Sequence, residues 1–144
     1  MTNKSGLKLR AMVEPLKITG KLVSGAEKGA YFTQLKWVRE QCLEKLGFAP
    51  WPGTLNLEIP NDSVAAIEAL QAKEGIELVP PDSDFCSGRV FAVSVEGIPG
   101  AVVMPADDVR VHGKHIIEII SAQKLRQALG IENGDSVTIV ICRA

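Results

Sequence analysis

Thr54 and Asn56 stand two residues apart in Pro52-Gly53-Thr54-Leu55-Asn56-Leu57. On a strand, residues at that spacing project from one face. Leu55, Leu57 and Ile59 alternate with Thr54, Asn56 and Glu58, which predicts a half-buried β-strand with its leucines in a core. Two neutral oxygens on the other face can share a hard cation such as Mg²⁺. That ion prefers oxygen ligands and keeps several waters, so the protein need supply only one or two. The preceding Pro-Gly predicts a turn that brings backbone close to a ligand. An ordinary strand after a turn has the same pattern, so the rest of the chain must decide.

Glu118 lies in Ile116-Ile117-Glu118-Ile119-Ile120 and on a strand shares a face with Ile116 and Ile120. A carboxylate between isoleucines is costly unless paired, hydrogen-bonded or lining a pocket. In a pocket it could take a proton from a substrate hydroxyl; on an edge strand it would simply face solvent. The run Gly25-Ala26-Glu27-Lys28-Gly29-Ala30 follows a predicted strand and reads as a flexible polar loop. Its glycines could turn N–H groups toward a phosphate, but no Gly-Lys-Ser/Thr follows, so it is not a Walker loop. A surface hairpin loop would look the same. Ser121 is expected to cap a helix over residues 122–129 whose free N–H groups favour an anion, with Lys124 and Arg126 adding charge. Capping and a solvated basic face explain that segment equally well. His112 and His115 lack a third ligand and do not suggest a metal site. Trp37 and Trp51 could stack on a flat ring, although core packing is their expected role.

The elements that must position these residues follow from periodicity. Residues 16–23 alternate and predict a first strand. Leu35, Val38, Cys42 and Leu46 fall at helical spacing over 33–46, with Gly47 as the stop. A second helix starts near Asn61 or Asp62, carries Val64, Ile67 and Leu70 on one side, and ends before Gly75. Strand-like runs cover 89–95, 101–104 and 115–120. Asn133-Gly134 is a turn signal, and 136–142 predicts a central strand apolar on both faces. About six strands not regularly separated by helices argue for a small closed barrel with helices at its rim.

With 144 residues, 46% apolar and 23% charged, the chain suits one globular domain, expected over 16–144 behind an arm at 1–15. A net charge of −1 gives no basic field for nonspecific nucleic-acid binding. No apolar stretch is long enough to span a bilayer, and the start lacks a signal-peptide core. Cys42, Cys86 and Cys142 form no C-x-x-C pair, so structural zinc is not expected. Cys42 and Cys142 read as small core residues in a reducing compartment, which predicts a cytoplasmic protein.

Taken in order, 20–25 with Gly29 and Tyr31-Phe32, Leu46-Gly47-Phe48, 52–57, Glu118-Ile119-Ile120, Leu125-Arg126 and Asn133-Gly134-Asp135 resemble the archaeal-type CTP-dependent riboflavin kinases. The resemblance runs from about Leu16 to Ile141. It implies a six-stranded cradle-loop β-barrel that makes FMN from riboflavin with CTP as donor, releasing CDP. It further implies that Gly25, Ala26, Glu27, Lys28, Gly29 and Ala30 meet the nucleotide, as do Gln123, Lys124, Leu125 and Arg126. Thr54 and Asn56 would hold Mg²⁺, and Glu118 would lie at the flavin end as the catalytic carboxylate, with Arg110 near the flavin phosphate. A monomer acting on small molecules, away from membranes and nucleic acid, is the expected form.

The chain departs from the family's Gly-x-Gly-x-Gly-basic loop. Glu27 replaces the middle glycine and Ala30 the basic residue; Arg110 replaces a threonine, and Ser121-Ala122-Gln123 replaces Ala-Pro-x. A carboxylate beside a triphosphate repels it, and a missing cation removes charge stabilisation. Lys28 partly compensates. A flavin- or nucleotide-binding relic without turnover is therefore the alternative. Residues 121–137 also resemble swapped-hairpin AbrB-type DNA-binding proteins, over a short segment in a nearly neutral chain.

Overall fold

A computed structural model describes residues 15–24, 28–81, 88–105 and 115–141. Seven strands form one antiparallel sheet: β1 (Leu16–Val23), β2 (Leu55–Glu58), β3 (Ile76–Leu78), β4 (Gly88–Val95), β5 (Ile98–Pro105), β6 (Ile116–Ser121) and β7 (Ser136–Ile141). The spatial order is β3-β4-β5-β6-β2-β1-β7, and an added β4–β7 pairing closes six of them into a barrel. β4 does this by dividing its length. Its start pairs with β3 through Ile76↔Val90, while Ser94 and Val95 pair with Val140 and Ile139 of β7. Closure leaves the six barrel strands without a long free edge. The mainly β barrel expected from the sequence is the observed fold.

The alternation that predicted the strands is what fills the barrel. Ile18, Leu22, Leu55, Leu57, Ile117, Ile119, Val137, Ile139 and Ile141 belong to one buried cluster. A second cluster lies on the opposite face of the sheet, where Val90, Ala101, Val103 and Ile120 meet Val38 and Cys42 of a helix. That helix is α2 (Lys36–Leu46), preceded by α1 (Lys28–Gln34). The single helix expected over 33–46 is thus two. Leu35 is extended (φ −63°, ψ 134°), and its N–H closes a tight turn on the Phe32 carbonyl at 3.2 Å. Gly47 ends α2 in the left-handed region (φ 87°), with its N–H on the Cys42 and Leu43 carbonyls.

Other expectations shift by a few residues for definite reasons. Residues 28–30 open α1 rather than continuing a loop, whereas Gly25, Ala26 and Glu27 lie outside the described residues. α3 (Asn61–Glu74) starts one residue after Pro60, whose carbonyl accepts the Ser63 N–H at 3.0 Å, so Pro60 occupies the capping place expected of Asn61 or Asp62. Ser121 is the last residue of β6, not a helix cap. Its hydroxyl donates to the Pro99 carbonyl at 2.8 Å, and α4 (Leu125–Leu129) begins only after Lys124. β7 buries one face only; on the other, the Thr138 and Thr19 hydroxyls bond across to β1 at 2.8 Å. β3 has no counterpart among the expected strands, because three residues carry too little alternation to register. The arm at 1–14, Cys86, Arg110, His112 and Cys142 lie outside the described residues.

Candidate active site

The register of two neighbouring strands builds the centre of the site. β2 pairs with β6 so that Asn56 lies opposite Glu118 and Leu55 opposite Ile119. Directly opposed residues share a face, so the leucine and isoleucine enter the barrel while the amide and carboxylate leave it together. β6 runs between β5 and β2, which removes the edge-strand reading of Glu118. Thr54, just before β2, completes the trio. Its hydroxyl is 3.3 Å from Glu118 Oε1 and 3.4 Å from Asn56 Oδ1. Asn56 Nδ2 donates to the Thr54 carbonyl at 3.2 Å, and the residue is only 6% exposed.

The turn before Thr54 is held at two points. The Trp51 N–H donates to the Ser121 carbonyl at 2.7 Å, tying the turn to the end of β6. The Gly53 N–H donates to the hydroxyl of fully buried Thr33 at 2.8 Å, tying it to α1. Gly53 sits at φ 115°, a conformation that a side chain would strain. The turn expected from Pro52-Gly53 is thus present.

Burial raises the Glu118 carboxyl above its ordinary value, and the Thr54 hydroxyl bond offsets part of that rise. A carboxyl shifted in this direction is a stronger base once ionised than one in water. The three oxygens are also short of hydrogens. The Thr54 hydroxyl has one, offered at long range to two acceptors. Among the described residues no group of three His, Cys, Asp or Glu side chains could cage a metal. A hydroxyl, an amide oxygen and a carboxylate instead make a partial set of hard donors. That suits Mg²⁺, which fills its remaining positions with water or phosphate.

Beside the trio lies a cleft of about 210 Å³ lined by Trp51, Gly53, Thr54, Leu55, Ile119, Ser121, Gln123, Lys124, Leu125 and Arg126. Its size admits part of a nucleotide rather than a whole one. Thr54 lines it and also touches Glu118, so it links the oxygens to the cleft. The model matched by residues 22–141 is that of the CTP-dep_RFKase family, described as a domain of unknown function, DUF120. The chain belongs to this family.

Curated relatives agree. A protein named riboflavin kinase from Archaeoglobus fulgidus is 38% identical over 130 residues, covering 88% of this chain and 54% of its own length. Riboflavin kinases of Pyrobaculum islandicum and Ignicoccus hospitalis are 36% and 35% identical, with 60% and 72% of their lengths covered. The chain therefore spans only a little over half of the first of these relatives.

Within this CTP-dep_RFKase member, the residues singled out by sequence separate into groups. Thr54, Asn56 and Glu118 come together, and Gln123 to Arg126 line the same cleft as Thr54. The two tryptophans divide. Trp37 packs edge-on against Phe32, ring centroids 6.2 Å apart, beside the outer core. Trp51 is 48% exposed and lines the cleft, so the core role expected for it is wrong. Pro50 and Pro52 on either side, and the two backbone bonds, hold its turn outside the core. That proline-flanked placement was the available signal. Thr33, a supporting hydroxyl on α1, was missed altogether, and Asn133, read only as part of a turn and a family motif, proves to reach Arg126 with its side chain. No helix among the described residues is long and apolar enough to cross a membrane.

Proposed function

We propose that this chain phosphorylates riboflavin to FMN, using CTP and Mg²⁺. The observation that supports it most is the oxygen trio beside a cleft that Lys124 and Arg126 also line, in a chain of this family. The ribityl hydroxyl of riboflavin attacks the terminal phosphorus. A new O–P bond forms, the bond to the bridging oxygen breaks, and CDP leaves with that oxygen. Glu118 accepts the hydroxyl proton, a task suited to a carboxylate whose proton affinity is raised by burial. Thr54 and Asn56 would hold the Mg²⁺, which when bound neutralises phosphate charge. Lys124 and Arg126 add positive charge at the cleft, and half-exposed Trp51 offers a flat apolar surface to a ring. Positioning and charge neutralisation are most of what phosphoryl transfer requires.

The test is to incubate the protein with riboflavin, Mg²⁺ and each nucleoside triphosphate in turn and follow FMN by chromatography. FMN with CTP in preference to the other donors is expected. Riboflavin binding, seen as fluorescence quenching, without FMN from any donor would overturn the kinase reading. It would favour the second one, a binding relic, for which Glu27 and Ala30 in the glycine run are the specific grounds.

A further inference from the structure

Arg126 is the one guanidinium among the described residues that line the cleft, and its hydrogen bonding serves the protein. Its Nη2 donates to Asn133 Oδ1 at 2.6 Å and to the Val23 carbonyl at 3.3 Å. Those two acceptors use both Nη2 hydrogens. No hydrogen bond among the described residues uses Nη1 or Nε. Asn133 is itself oriented, because its Nδ2 donates to the Ser24 hydroxyl at 2.6 Å. Ser24 immediately precedes the glycine run in the sequence. One amide side chain therefore joins three segments: the end of β1, the start of α4 and the turn before β7.

The backbones at both ends of this link are fixed without it. The Arg126 carbonyl accepts the Ile131 N–H at 3.1 Å, and Gly130 closes on Gln127 at 3.3 Å, so α4 ends in a Schellman-type turn. The 133–135 turn is bonded to β1 on both sides, Gly134 N–H to the Leu22 carbonyl and Leu22 N–H to the Asp135 carbonyl, each at 2.8 Å. The Asp135 carboxylate also accepts the Glu132 N–H at 2.8 Å. The Asn133 side chain is thus unnecessary for the turn. What it does is restrict a side chain with several rotatable bonds and high rotamer entropy.

We infer that Asn133 is a positioning residue, which holds the Arg126 guanidinium by one edge so that Nη1 and Nε remain for a phosphate group in the cleft. The inference rests on the kinase reading for the identity of the ligand, a nucleoside di- or triphosphate. An Arg left free would lose more entropy on binding, so the link acts on nucleotide affinity rather than on the chemical step. Riboflavin does not meet this corner as a phosphate and should be indifferent to it.

The test uses the full chain. Asn133→Ala should weaken CDP binding to the resting protein about tenfold, measured by calorimetry, and raise KM for CTP similarly. KM for riboflavin and kcat should stay within about twofold. Asn133→Asp, which keeps the acceptor, should restore most of the affinity. The decisive comparison is a cycle. If Asn133 acts through Arg126, then Asn133→Ala added to Arg126→Ala changes CDP affinity no further; full additivity overturns the inference, as does wild-type affinity in Asn133→Ala alone, or no CDP binding by the parent. The cycle reads binding only, so a protein that binds CDP but makes no FMN would refute the kinase reading and leave this one standing. Should Asn133→Ala fold poorly, Asn133→Asp is compared with Asn133→Leu, since leucine keeps the volume and loses the acceptor. Tighter CDP binding by the aspartate variant is then expected, and equal affinities would overturn the inference.

Discussion

The oxygen wall and the cationic wall of the site are built by opposite means. The oxygen wall hangs on a ladder: Asn56 and Glu118 are opposed residues of hydrogen-bonded strands, and Thr54, which lines the cleft, comes just before β2. Their separation is set by main-chain bonds that every barrel strand makes. The cationic wall sits on the segment after β6 and on a five-residue helix. There, Arg126 is placed by side-chain bonds to the Val23 carbonyl, far away in sequence, and to Asn133, one turn further along the chain and itself bonded to Ser24. Ladder-borne groups can be exchanged one at a time without moving their neighbours. Groups fixed by side-chain bonds cannot, because each one is part of another's support.

The largest effect should come from emptying the oxygen wall. Thr54→Val with Asn56→Leu removes both neutral oxygens while the ladder stays, and turnover should fall by about 10² to 10³-fold with the thermal melt nearly unchanged. Unchanged FMN formation would take these residues out of the mechanism. Next comes the side-chain support of the turn that leads into this wall. Thr33→Val leaves the Gly53 N–H without its acceptor and should cost about 1–3 kcal/mol in denaturant unfolding. A cost near zero would mean the turn is held by Trp51 and the strand alone.

Gly134→Ala probes the opposite wall. Gly134 lies at φ 95°, so alanine strains the turn that carries Asn133 and should destabilise the protein by about 1 kcal/mol. It should also weaken CDP binding, while riboflavin binding is unaffected; equal losses for both ligands would contradict the separation of the two walls. The smallest effect is a pH slope. The native Glu118 carboxyl holds its proton more tightly than in the unfolded chain, where about 4.5 is ordinary. Its contribution is fully present below that value and is lost as pH rises through the raised native one. Without divalent ions, Glu118→Gln should therefore gain stability relative to the parent as pH rises above about 4.5, followed by thermal melts. A difference that does not change with pH would show that the carboxyl titrates normally.

The same contrast explains what was legible. Strand alternation is a local property, so Leu55, Leu57 and Ile59 announced the buried face and Thr54 and Asn56 the other. The face of Glu118 was legible for the same reason, though its partner was not, since alternation carries no register between strands. The break at Leu35 was hidden because its apolar side chain suits the helical spacing; its extended backbone is a tertiary outcome. Ser121 misled because a serine before a charged, apolar-periodic run is a sound helix signal, overridden here by the β5–β6 pairing Gly100↔Ser121. Trp51 misled because aromatic residues are usually buried, and only the position of the 51–53 turn shows that this one is not.

By itself the sequence determined six of the seven described strands and the family, because each is written in local periodicity or in the order of short motifs. Tertiary structure alone decided which polar groups meet. Register set Glu118 against Asn56, barrel closure joined β4 to β7, and the fold brought Val23, Arg126 and Asn133 into one bonded set. Such meetings depend on contacts between residues up to about a hundred positions apart, and no window along the chain contains them.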